Sequence, residues 1–221
     1  MRPIHKVWTM AAADDNAVCL SQKPTGAGYL TINGVLAAAE MDTSQLPSVA
    51  RTVANLDVYR HIAIASDADE RAATFVVTYA DATGGVCTES ITGPNATAAV
   101  SVNGMAKIIS VHIDRAAAGN LTVGTTATAE TPWFPISQYP SPAQLTLQAQ
   151  FSAGASLSLQ WQATASPVQD GGSGILANPI DAPFTASSIV VFEGPVTAVR
   201  GKFAGFSSGT VTLDIIRTAG S

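Results

Sequence analysis

Charge is the scarcest ingredient of this chain. Asp, Glu, Lys and Arg make up 12% of its 221 residues, against about 25% in ordinary globular domains. A surface so poor in charge must be covered by Ser, Thr, Ala, Gln and Asn, or be buried against other chains. There are 11 basic and 16 acidic residues, for a net charge of -5. The basic residues form no cluster, so nucleic-acid binding through counterion release has no footprint. Long apolar runs are missing as well. Hydrophobic residues make up 47% of the chain, yet no run approaches the roughly 18 residues that a membrane-crossing helix needs. In the opening MRPIHKVWTMAAADD the Ala run stops at Asp14 and Asp15, so no secretory signal is expected. Cysteine is limited to Cys19 and Cys87. These allow one disulfide or two separate thiols, and no Cys-x-x-Cys spacing is present.

What the chain does have is strand signal. TFVVTYAD (74–81), VCTESITG (86–93) and KIISVHID (107–114) are short, rich in Val, Ile and Thr, and bounded by Gly, Asn or Asp. DATGGV reads as the hairpin turn between the first two, its Gly pair supplying the positive φ. TGPNAT (92–97) and AAAGNLTVG (116–124) read as further turns, the latter leading into a short last strand. Turns every 8–12 residues or so indicate a sandwich or barrel. Upstream, GYLTING (28–34) resembles a short hairpin, and DVYRHIAIAS (57–66) alternates over Val58, Arg60, Ile62 and Ile64 as a strand. TSQLPSVARTVANL (43–56) reads either as a short helix after Pro47, with Val49, Val53 and Leu56 as its apolar face, or as an extended loop.

The composition then shifts. TAETPWFPISQYPSPAQ (128–144) holds four prolines and three aromatics, Trp133, Phe134 and Tyr139. Proline removes backbone donors, so this stretch reads as a linker and not as a central strand. Beyond it, QLTLQAQF (144–151) and SLSLQWQAT (156–164) alternate strictly, with SAGA as the turn of a hairpin. Leu145, Leu147, Ala149 and Phe151 share one face, and Leu157, Leu159, Trp161 and Ala163 share the matching one. A long irregular loop (167–184) and three strands within 187–218 follow. The halves rhyme: Gly93-Pro94 and Gly194-Pro195 precede strands ending at Val111 and Val199, and GNLTV (119–123) answers GTVTL (209–213). The expected fold is all-β: two small antiparallel β-sandwich or barrel domains, 1–130 and 144–221, joined by a Pro/aromatic linker at 131–143.

Catalytic and metal chemistry find little support. His5, His61 and His112 lack neighbours at metal-ligand spacing and read as solvated or packed imidazoles. SDADERA (66–72) alternates Asp67 and Asp69 but lacks the Gly and the late Glu of a calcium loop, so it reads as a solvated hairpin loop. Ser173 in DGGSG is followed two residues on by Ile175, which breaks the nucleophile-elbow pattern. NAT (95–97) and NLT (120–122) read as turn asparagines. Trp8, Trp133 and Trp161 would be candidates for a sugar-stacking platform. Trp161 falls on the apolar face of its strand, which leaves Trp133 for a partner surface. No catalytic residue, cofactor or metal is expected, and the chain reads as a non-enzyme.

AADDNAV (12–18), GYLTING (28–34), RHIAIASDADERAATFVVTYADATGGVCTESITGPN (60–95) and KIISVHIDRAAAGNLTVGT (107–125) together resemble a module of structural proteins of tailed bacteriophages. There a D-x-x-G hairpin leads to T-E-x-I-T-G-P-N, then to a K-x-I-x-S-V strand closed by G-x-V-T-V-G-T. The resemblance covers about half the chain and implies a virion component assembled in the host bacterial cytoplasm. Its partners would be further copies of itself and other virion proteins, with neither nucleic acid nor membrane. A neck/collar or tail position is preferred. Head decoration and a carbohydrate-binding or adhesive β-sandwich are the alternatives. The partner surface expected is Trp133, Phe134 and Tyr139 with Gln148, Gln150, Gln160 and Gln162, because residues 144–164 carry no charge at all.

Overall fold

The computed structural model describes residues 3–32, 40–42, 51–136, 143–165 and 177–219. The chain is all-β: every regular element among these residues is a strand. Two compact units emerge, one of Ala13–Thr126 and one of Met1–Ala12 with Ala127–Ser221. Residues 1–12 thus fold with the C-terminal half and not with the rest of 1–130. The cause is β1 (Ile4–Thr9), which pairs antiparallel with the last strand of the chain, from Ile4 opposite Ile215 to Thr9 opposite Thr210.

The unit of Ala13–Thr126 holds β2 (Cys19–Gln22), β3 (Gly28–Tyr29), β4 (Glu40–Asp42), β5 (Arg51–Ser66), β6 (Thr74–Ala80), β7 (Val86–Thr92), β8 (Ala99–Val100), β9 (Met105–Ile113) and most of β10 (Leu121–Glu130). β6 and β7 form the expected hairpin, with Thr74 opposite Thr92 and Ala80 opposite Val86. Gly84 turns the chain at φ +88°, a conformation that glycine alone reaches freely. Asp81 Oδ1 accepts the Thr83 and Gly85 N–H groups at 2.8 and 2.9 Å and fixes the turn. β9 pairs with β6 on one side and β5 on the other. The alternating strands bury Ile62, Ile64, Phe75, Val77, Tyr79, Ile108, Val111, Ile113, Leu121 and Val123 in one core.

Three readings of this half are corrected. Residues 51–56 are strand, since Ala54 and Asn55 pair with Ile108 and Lys107. A neighbouring strand outweighs the weak helical periodicity, and positions 43–50 lie outside the described residues. In GYLTING, Gly28 and Tyr29 pair with Ile113 and His112 of β9, so the described part is an added strand and not a hairpin of its own. The SDADERA loop does not close a hairpin either, because β9 lies between β5 and β6.

The other unit continues with β11 (Phe134–Pro135), β12 (Ala143–Phe151), β13 (Ser156–Thr164), β14 (Asn178–Pro179), β15 (Ser188–Glu193), β16 (Ala198–Ser208) and β17 (Thr210–Ala219). One sheet has the order β1-β17-β12-β15. In the other, β16 pairs with β13 on one side and with the end of β10 and β11 on the other. The described part of the Pro-rich segment, 131–136, therefore runs along β16, with Thr131 N donating to Gly201 O and Ile136 N to Thr197 O. Pro132 and Pro135 fit such a border, where a missing donor goes unnoticed.

QLTLQAQF and SLSLQWQAT are both strands, but they do not pair with each other. β12 pairs with β15 and β17, whereas β13 pairs with β14 and β16. The SAGA turn carries the chain from one sheet to the other. The apolar faces were read correctly: Leu145, Leu147 and Ala149 are buried, as are Leu157, Leu159, Trp161 and Ala163. They meet as opposite layers of a β-sandwich. Gly201 of β16 marks the contact, because a Cβ there would stand 2.9 Å from Leu159 Cδ1 and 3.3 Å from Leu213 Cδ1 of the other sheet.

Candidate functional site

The outward face of the four-stranded sheet is built by register. Residues directly opposite in antiparallel strands share a face. One row is therefore His5, Asp214, Gln148 and Ile189; the next is Ile216, Thr146 and Val191; a third is Val7, Thr212 and Gln150. Ile189, Val191 and Val7 are 63%, 57% and 56% exposed. The carboxylates on this face are partnered. Asp214 meets His5 Nδ1 at 2.6 Å, and Glu193 accepts Gln144 Nε2 at 2.6 Å. The result is a charge-poor surface of Gln and Thr with exposed β-branched side chains along its β15 side. It has hydrogen-bonding capacity and apolar area, with no acid-base pair poised for chemistry.

The residues expected to form one partner surface are split by the fold. Gln148 and Gln150 lie on this face. Gln160 and Gln162 belong to the other sheet and are occupied: Gln160 Nε2 donates to Asp181 O at 3.0 Å, and buried Gln162 accepts Arg200 Nε at 2.9 Å. Phe134 is buried. Trp133 is half-buried, and the Arg200 guanidinium sits 4.6 Å from its ring centre, a cation–π contact. Arg200 also pairs with Glu130. This cluster uses its charges internally, and burial lowers the Arg200 pKa against the opposing pull of Glu130. Tyr139 lies outside the described residues. Ile189 and Val191 were missed; the signal was SIVVFE, whose alternation leaves one apolar set without a second layer.

Residues 66–72, Gly93, Pro94, Gly119 and Asn120 come together in one set of loops within their own unit. Asp67 Oδ1 and Oδ2 accept the Asn120 backbone N–H and side-chain amide at 2.6 and 2.7 Å. These bonds hold the Asp67 carboxyl below the usual range. Glu70 is buried, accepts Gly119 N at 2.8 Å and Ser66 Oγ at 3.2 Å, and donates its own N–H to Pro94 O. SDADERA is therefore not a wholly solvated loop. Asp67, the Asp69–Arg71 pair and Ala72 stay exposed there. Gly93 and Gly119 are demanded sterically, since a Cβ at either would come 2.1 Å from Glu70 O or Asp67 Oδ1. Glu89 caps another loop by accepting the Val102 and Asn103 N–H groups. The motif acids bond to loops and contribute to the fold.

His61 is buried with Nδ1 2.9 Å from Ser101 O, and His112 meets Tyr29 edge-on at 5.0 Å. Cys19 and Cys87 are free thiols. Among the described residues no group of His, Cys, Asp and Glu could hold a metal ion. Ser173 lies outside the described residues. No family model, curated protein or solved structure matches the chain.

Proposed function

We propose that the chain is a non-enzymatic structural component of a tailed-phage virion, placed at the neck/collar or tail, and that it works by assembly with copies of itself and other virion proteins. The observation that carries this reading is the outward face of β1-β17-β12-β15. Its Gln and Thr rows and exposed Ile189, Val191 and Val7 form an area of sheet in which the two carboxylates, Asp214 and Glu193, are each held by a hydrogen bond. Soluble monomers normally cover such a face with interspersed charges. The resemblance to virion modules supplies the setting, and the use of its motif acids in loop closure fits a building block.

The carbohydrate-binding alternative draws less support, because the Trp133 ring is engaged by Arg200. Mass spectrometry of purified particles from the encoding phage tests the proposal. The chain is expected at a fixed ratio to the other virion proteins. Its absence from particles, with expression intact, removes the virion role. Within particles, a Gln148→Lys, Gln150→Lys double variant should be incorporated poorly while its circular dichroism stays unchanged.

A further inference from the structure

The two edges of the four-stranded sheet are not alike, and one of them is built to receive a strand. β15 pairs with β12 on one side, and among the described residues no strand pairs with its other side. The sequence SIVVFE has no Lys, no Pro and no inward-pointing charge, and its register with β12 runs unbroken from Gln144 opposite Glu193 to Ala149 opposite Ser188. The devices that usually blunt an edge are therefore missing. Beyond that edge Ile189 and Val191 stand more than half exposed, two residues apart on one face. A free edge of this kind accepts a partner through main-chain hydrogen bonds, and side chains on alternate positions choose which partner.

We propose that the occupant is a second copy of this chain, with β15 pairing antiparallel to β15 of the partner subunit around Val190. The pairing rests on the assembly role proposed above and names its contact. Three features favour a copy. First, the register centred on Val190 matches both faces. Ile189 lies opposite Val191 of the partner subunit on the exposed side. On the inner side Val190 meets Val190 of the partner subunit, and Ser188 meets Phe192 of the partner subunit. Second, the alternative twofold register centred on Val191 sets Ile189 against the Glu193 carboxylate, so of the two the register centred on Val190 is the better one. Third, the only charge on the strand is Glu193 at its end. Antiparallel pairing sends the two Glu193 carboxylates to opposite ends of the ribbon, where parallel pairing would set them side by side. A twofold contact of this kind joins the two four-stranded sheets into one and is isologous.

Sedimentation velocity of the full chain over a range of concentrations provides the first measurement. The wild type is expected to self-associate in steps of two. Val191→Lys and Ile189→Lys, each at an exposed position, should each weaken the dimer about tenfold or more, because both copies of the apolar Ile189–Val191 contact are replaced by a charge set against an apolar side chain. Val102→Lys, at an exposed site in the other unit, should leave it unchanged. The second measurement is direct. In a Cys87→Ser background, Val190→Cys should form a disulfide dimer under mild oxidation, because opposed Cα atoms about 4.5–5.5 Å apart lie within disulfide reach. Val191→Cys should cross-link far more slowly. A monomeric wild type at all concentrations overturns the pairing. So does a dimer unmoved by both lysine variants, or cross-linking at Val191 and not Val190. If the chain is nevertheless found in particles, the virion role survives and only the copy-to-copy contact falls. Should a lysine variant misfold, the cysteine cross-link still decides.

Discussion

Glu70 lies under a loop that the sequence presents as solvent-exposed. Its carboxylate accepts Gly119 N and Ser66 Oγ in the interior. Removing it strands a buried N–H, at a cost of about 1–3 kcal/mol. Glu70→Ala should therefore lower the urea midpoint clearly, whereas Asp69→Ala in the exposed Asp69–Arg71 pair should shift it hardly at all. Gly93→Ala should be worse than either, since its methyl would collide with the Glu70 carbonyl. Asp181 predicts a pH effect of definite sign. Burial holds its carboxyl above the ordinary value, although Oδ1 accepts Trp161 N at 2.9 Å. The folded state then binds this proton more tightly than the unfolded chain. Its contribution is fullest below the unfolded value near 3.8 and is lost as pH rises through the raised native value. Asp181→Asn keeps the acceptor and removes the charge. The variant should gain stability relative to wild type at pH 7 and lose that advantage at pH 3, as thermal unfolding at the two pH values would show.

At the scale of elements, alternation declared nearly every long strand and which face of it is buried. Leu145, Leu147, Leu159 and Trp161 were placed inward from sequence, and inward they lie. The partner of each strand was not legible. A period of two fixes a face but is silent on whether the next strand sits beside it or across the core, so β12 and β13 read as a hairpin when they belong to opposite layers. The segment at 51–56 misled for a related reason. Its weak apolar spacing fits a helix locally, and only the long-range pairing of Ala54 with Ile108 makes it strand. For the candidate site, Gln148 and Gln150 were readable as polar positions on an uncharged strand. The exposure of Ile189 and Val191 was only half readable, because the alternation of SIVVFE separates two apolar sets without saying which of them faces the second layer. β1 supplies a test at this scale. Its six residues cover the β17 edge, so deleting residues 1–12 should lower the melting temperature by several degrees or more, given the scale of about 4–8 °C per kcal/mol in small domains.

For the molecule as a whole, the two units should separate experimentally. A fragment spanning 13–130 carries its own core and is expected to give a dispersed amide spectrum alone. A fragment beginning at 143 lacks β1 and the 128–136 border of β16 and is expected to fold poorly. The thiols give a second whole-chain test. Burial pushes Cys19 up to about 12 and also raises the half-buried Cys87, which sits beside Asp81. Since only thiolate reacts readily, the native protein at pH 8 should label slowly at Cys87 and not at Cys19. Both should label at once in denaturant.

The pairing of β1 with β17 has a consequence for the order of events during synthesis. Ile4 opposes Ile215, so nearly the whole chain must leave the ribosome before β1 finds its neighbour. The unit of Ala13–Thr126 is complete long before that and can fold while its other half is still being made. Throughout this interval β1 is an unpaired strand tethered to a finished unit, and β12 too waits for β17. Translation halted before Thr210 would release a chain in which Ile4–Thr9 has no neighbour and Ala143–Phe151 has β15 alone. Completion of the ten residues of β17 lets β1 and β17 close a loop that spans most of the chain in a single step.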